Sequence, residues 1–158
     1  MYKHAPQNYN CPICLTINGI ENEFNMAKQA DIVYRDEKTL VFVNSKFIES
    51  NPGHVIVVPT AHFENIYELP TEYSHAIAET AQKMAVALKE VRTCDGIWIE
   101  QNNEPASGQH AFHYHMHVVP RFKDDNLKQV LAAGKTYVAD PTDRVGYAEA
   151  LRGYFSHI

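Results

Sequence analysis

His113-Tyr-His-Met-His-Val-Val-Pro-Arg-Phe122 decides how the chain is read. Three histidines alternate with apolar side chains, and a β-strand turns successive side chains to opposite faces. The alternation predicts a strand with His113, His115 and His117 on one face and Tyr114, Met116 and Val118 in the core. Same-face neighbours stand roughly 7 Å apart, so three imidazoles span about the length of a short phosphate chain. Pro120 should close the strand, because proline cannot serve a central ladder. With His110, four of the nine histidines fall within eight residues. That density suits two chemistries. A His-x-His pair can hold a metal, or one histidine can act as a nucleophile while its neighbours orient it and stabilise charge.

The remaining composition narrows the setting. A chain of 158 residues with 45% apolar content suits one domain with a full core. The net charge of −5, with no basic block, argues against a nucleic-acid backbone as partner. A nucleotide stays open, since a pocket needs only local donors. No apolar run is long enough to cross a bilayer, and Met1 to Asn10 lacks the features of a signal peptide. Three cysteines do not make a disulfide framework. A reducing cytoplasm is the expected location.

Outward from the histidine row, Ile97 to Asn102 reads as a strand and Asn103 to Gly108 as a loop delivering Gln109 and His110 to it. Strand, loop and strand form a hairpin. Asp31–Arg35 and Thr39–Val43 flank Asp36-Glu-Lys38 as a second hairpin. Asn51-Pro-Gly53 is a turn, followed by a buried strand over His54–Val58 ended by Pro59. Residues 60–66 are expected to begin a helical stretch, which restarts after Pro70 with Thr71 as N-cap. Tyr73, Ile77, Ala81, Met84, Leu88 and Val91 form the apolar stripe of a long helix ending near Arg92. His75 lies off that stripe and is expected in solvent, whereas Cys94 should be buried near a turn. A short helix over 127–133 and one opened by Asp140-Pro141 are predicted beyond the histidines. Near the start, Cys11-Pro-Ile-Cys14 brings two thiols together for zinc or for redox exchange. No βαβ pattern follows it, which favours zinc.

Gly108-Gln109, three residues, then His-x-His-x-His-x-x resembles the histidine-triad (HIT) family of nucleotide hydrolases and transferases. Asn44, Pro52-Gly-His54, Pro59 followed by His62, and Asn102 ahead of Gly-Gln support the likeness by their order. The resemblance implies an α+β fold, with a five-stranded antiparallel sheet carrying a long helix in a homodimer. It implies one HIT domain over 1–158, with its core at about 11–122 and a helical C-terminal extension over 123–158. It further implies that His115 attacks the α-phosphorus of a nucleotide and that water then releases a nucleoside monophosphate. Adenine is the base expected from the family.

The residue chemistry is consistent with those roles. A neutral imidazole is nucleophilic at neutral pH, provided its second nitrogen keeps a proton held by an acceptor. Gln109, His117 and Asn102 are expected as donors to the phosphoryl oxygens. Asn44 is expected at the ribose and His54 at the edge of the site. In a zinc-bearing subset of the family, a Cys-x-x-Cys joins two histidines at positions that here are Cys11, Cys14, His62 and His113. Four such ligands make a closed, structural site, which would also fix the entry to the strand carrying His115. No catalytic metal is expected. His110 stands where many relatives carry serine, threonine or glutamate, which weakens a phosphoramidase assignment. The Pro120-Arg-Phe122 ending is closer to relatives acting on dinucleoside polyphosphates. Nucleotidyl transfer to another acceptor and non-catalytic nucleotide binding are the rival readings.

Overall fold

The computed structural model describes residues 2–156. Residue 1 and residues 157–158, the ends of the expected domain, lie outside that span. A five-stranded antiparallel sheet runs in the order β1-β2-β4-β6-β5. Its strands are β1 (Ile32–Arg35), β2 (Thr39–Val43), β4 (Val55–Pro59), β5 (Gly96–Gln101) and β6 (Met116–Arg121). The fold is therefore the α+β arrangement expected from the resemblance.

Helix α2 (Thr71–Arg92) covers one face of the sheet. Its Ile77, Ala81, Met84 and Leu88 are buried against Val41, Val43, Val55, Val57 and Val118. Each large side chain buried this way stabilises the domain by about 1.5–3 kcal/mol. The opposite face, carrying Leu40, Phe42, Ile56 and Val58, meets helix α1 (Pro12–Ile17) through Ile13 and Ile17. Strand periodicity thus sorts alternate residues onto two layers, and the histidine row falls on the α1 side. His117 lies opposite Ile56, which in turn lies opposite Phe42.

The C-terminal part, with α3 (Leu127–Ala132), β7 (Thr136–Val138) and α4 (Pro141–Phe155), joins the same core. Ala139, Ala148 and Leu151 are buried in one cluster with Val41 and Met84. Asp140 caps α4 by accepting from Thr142 N at 2.9 Å, as the Asp-Pro start predicts. Strand β7 pairs with β3 (Lys46–Ile48) in a separate two-stranded sheet. Neither three-residue strand is evident from the sequence, because runs so short carry no readable period. Gly53 adopts φ +78°, and an added Cβ there would stand 2.4 Å from the Tyr147 ring of α4. Only glycine satisfies both the left-handed backbone and that approach.

Several expectations are corrected. Residues 60–65 are not helical, and only a short 3₁₀ turn (Ile66–Glu68) precedes α2. Asn65 caps that turn by accepting from Tyr67 N. Pro70, not Thr71, occupies the N-cap of α2, so no side chain caps it. Pro120 lies inside β6, opposite Ile97, and does not end it. The proline is tolerated because β4 pairs with β6 only through Val118. Its carbonyl accepts from Asn51 Nδ2 at 2.7 Å, so its nitrogen faces a side where no ladder bond is required. The ladder of β6 also begins only at Met116, leaving His113 in a bend and His115 on irregular chain just before it.

Candidate functional site

The nucleophile candidate is built from backbone outward. His115 Nδ1 donates to the His113 carbonyl at 2.8 Å. That bond fixes the tautomer and leaves Nε2 as the unprotonated nitrogen. His115 is buried but borders a cavity of about 390 Å³ shared with His117, Asn44 and the exposed His110. Burial lowers the pKa of His115, against the opposing pull of the His113 carbonyl. His117 is pushed well below the ordinary imidazole value, first by burial and then by His54 and His115. Both rings are thereby favoured in their uncharged forms, which offer N–H dipoles and lone pairs.

Asn44 and His54 brace this row. Asn44 Nδ2 donates to His54 Nε2 at 2.7 Å, and the His54 ring lies 5.4 Å from that of His117. His54 is buried, and among the described residues its Nδ1 has no partner. Burial lowers its pKa to about 4.

Two expected phosphate donors are placed differently. The Gln109 amide spends its N–H groups on the Glu64 carbonyl at 2.6 Å and the Ala111 carbonyl at 3.1 Å, while its oxygen accepts from Glu104 N at 2.7 Å. It therefore holds the loop that Gly108, at φ +94°, turns toward the histidines. Asn102 donates to Glu100 Oε1 at 2.8 Å and does not line the cavity. Asn102 is engaged by a neighbour two residues away, whereas Gln109 is engaged partly by Glu64, 45 positions distant, an outcome that a motif does not display.

The rest of the cavity escaped the sequence reading. Ile13, Phe24, Met26, Ala27, Phe42 and Ile56 give it an apolar wall, and Lys46 stands at the same cavity. Phe24 and Met26 sit in an irregular loop, where no period marks them. Lys46 had a signal: it follows Asn44 by two residues, the spacing of one strand face.

Cys11, Cys14, His62 and His113 converge as a group that could hold a metal ion, with their ligand atoms all within 4.8 Å of one another. Cys11 Sγ lies 3.5 Å from His113 Nδ1, and Cys14 Sγ lies 3.4 Å from the same nitrogen and 3.3 Å from His62 Nδ1. Bond lengths around tetrahedral zinc require ligand separations of about 3.3–3.8 Å, a range that these three separations meet. His113 Nε2 donates to the Pro59 carbonyl at 3.0 Å, the outer bond that orients a metal-bound imidazole. Cys11 caps α1 and Pro12 starts it, so the two thiols meet one turn apart. The Cys14 hydrogen bond, then those of His113 and His62, holds the Cys11 thiol low. The same pairing pushes Cys14 up.

The HIT domain profile matches residues 25–124. The chain belongs to the HIT family. Within this HIT family, it is 34% identical over 132 residues to Protein hit of Bacillus subtilis, covering 83% of each chain. A zinc-bound histidine triad family protein from Mycobacterium smegmatis superposes with TM-score 0.75 at 28% identity, covering 94% of each chain. The Arabidopsis thaliana protein named adenylylsulfatase HINT3 is 28% identical over 98 residues, 60% of this chain and 47% of its own length. Among the described residues of this HIT protein, no helix is long and apolar enough to cross a membrane.

Proposed function

We propose that the protein is a nucleotide hydrolase that cleaves at the α-phosphate through a nucleotidyl-histidine intermediate. The observation that carries this reading is the 2.8 Å bond from His115 Nδ1 to the His113 carbonyl, which leaves Nε2 for the cavity. The nitrogen lone pair attacks the α-phosphorus, and the bond to the departing group breaks. Water then attacks the same phosphorus, the phosphorus–nitrogen bond breaks, and a nucleoside monophosphate and a proton leave. His117 donates an N–H to a phosphoryl oxygen as charge gathers there. Asn44 is assigned to the ribose, and the apolar wall between Phe42 and Met26 to the base. Adenine rests on the family alone. Gln109 is a positioning residue on this reading, and Asn102 carries no assigned role.

The neutral rings favour one substrate class. A phosphate chain departs as an anion and needs no proton, whereas an amine does. Dinucleoside polyphosphates and related anhydrides are therefore preferred over phosphoramidates. His110 is the exposed histidine at the cavity that would serve an amine.

Bound zinc would be held by Cys11, Cys14, His62 and His113 and would supply structural cross-linking. His113 would then tie the metal to the nucleophile, since its ring is a ligand and its carbonyl orients His115. A homodimer is part of the proposal. Arg152 donates to the Ala30 and Ile32 carbonyls at 3.0 and 2.6 Å, capping the β1 side of the sheet. The outer edge of β5, with Ile99 exposed, is open to a second copy. A cytoplasmic location is supported by thiols arranged with histidines as ligands.

The test is to incubate the protein with diadenosine tetraphosphate, quench, and map the adduct by mass spectrometry. Adenylylation of His115 is expected, and His115→Ala should abolish turnover while nucleotide affinity falls modestly. An adduct on another residue, or unchanged turnover by the variant, overturns the reading.

A further inference from the structure

We propose that Lys46 selects substrates by the charge of the departing group, its ammonium binding the phosphate chain beyond the α-phosphate. This deepens the reading of the cavity as a site of attack at an α-phosphate and rests on it. Lys46 lines the same cavity as His115, His117 and Asn44, and among the described residues it is the one lining residue with a permanent charge. Among the described residues, no carboxylate lines that space. In a chain of net charge −5, the local cation is what makes the cavity attractive to a polyanion.

The ammonium is also uncommitted. Lys3, Lys83 and Lys135 each lie within 4.0 Å of a glutamate, but among the described residues Lys46 forms no ion pair. Its backbone, by contrast, is held on three sides. Lys46 N donates to Asn44 Oδ1 at 3.3 Å, Lys46 pairs with Val138 in the β3–β7 ladder, and Ala139 N donates to the Ser45 carbonyl at 2.9 Å. The C-terminal segment thus anchors the base of a long side chain that lines the same cavity as His115 and His117. A fixed root and a flexible four-carbon stem suit contact with phosphates at varying distance from the reacting phosphorus. A substrate whose departing group is a neutral amine offers that ammonium nothing beyond the α-phosphate.

The test compares wild type, Lys46→Met and Lys46→Arg in the full chain on diadenosine tetraphosphate and on adenosine 5′-phosphoramidate. Methionine keeps the apolar stem and removes the charge. Lys46→Met should lower kcat/KM on the tetraphosphate about fivefold, the upper end for an exposed ion pair, and on the phosphoramidate less than about twofold. Lys46→Arg should stay within about twofold on both. The selective loss should shrink toward zero at about 0.5 M salt. Equal losses on the two substrates, or no loss on the tetraphosphate, overturn the role of Lys46 while leaving the site assignment intact. Failure of the wild type to turn over either substrate overturns the site assignment, and this inference with it.

Discussion

Arg144→Met probes the link between the C-terminal helix and the wall of the cavity. Arg144 and Asp31 are 1% and 0% exposed, and Arg144 Nε donates to both Asp31 oxygens at 3.1 Å. Its other nitrogens donate to the Ala139 carbonyl at 2.7 Å and the Met26 carbonyl at 3.0 Å. Methionine fills most of the volume, so the cavity contribution is small and the lost charge dominates. Asp31 then keeps only the Lys28 N–H, at 2.7 Å, inside the protein. Removing one partner of a buried pair costs about 3–5 kcal/mol. With total stability of about 5–15 kcal/mol, that is a large share. Urea unfolding with a slope of about 2 kcal/mol/M should show the midpoint falling by about 2 M. Adding Asp31→Leu removes the stranded carboxylate and should recover part of the loss. The folded fraction of Arg144→Met should show a raised KM, because Met26 and Ala27 line the cavity. A loss below about 1 kcal/mol, or strict additivity in the double variant, refutes the account of a coupled buried pair.

Three further outcomes are expected. Untreated protein should hold about one equivalent of zinc, and Cys14→Ser should lose both metal and turnover, the latter through His113; less than about a tenth of an equivalent in the wild type, with free thiols at Cys11 and Cys14, rejects the metal site. His54, held at about 4 when folded against an ordinary value near 6.5 when unfolded, takes up a proton first in the unfolded chain. Its stabilising contribution is full above about pH 6.5 and falls by roughly 3 kcal/mol on descent to pH 4, a slope that His54→Gln should remove in denaturant titrations across that range. Gln109→Ala should cost about 1–3 kcal/mol of stability by stranding the Glu104 N–H and the Glu64 and Ala111 carbonyls. Unchanged stability with reduced kcat would return Gln109 to direct contact with phosphate.

Local pattern and tertiary packing divided the problem unevenly. The period of two in the histidine row sorts Tyr114, Met116 and Val118 toward the core and His115 and His117 toward the cavity, because alternate residues near a strand turn to opposite faces. The apolar stripe of α2 was equally legible, as was the Asp140-Pro141 start of α4, since each depends on neighbours within a turn or two. Cys11 and Cys14 are close in sequence, but their meeting with His62 and His113 joins segments 48 and 102 positions apart, and only the family resemblance anticipated it.

What packing alone decided involves residues far apart in the chain. Arg144 reaches Asp31 across 113 positions, and Asn51 reaches Pro120 across 69. The donors of Gln109 could serve a phosphate or a carbonyl equally well by type. The approach of Glu64 and Ala111 selected the carbonyls. Strands β3 and β7 are too short to show a period, and each is a strand only because the other lies beside it. A side chain's chemistry and its face on a local element follow from sequence spacing, whereas the partner that satisfies it follows from which distant segments the core brings within hydrogen-bond reach.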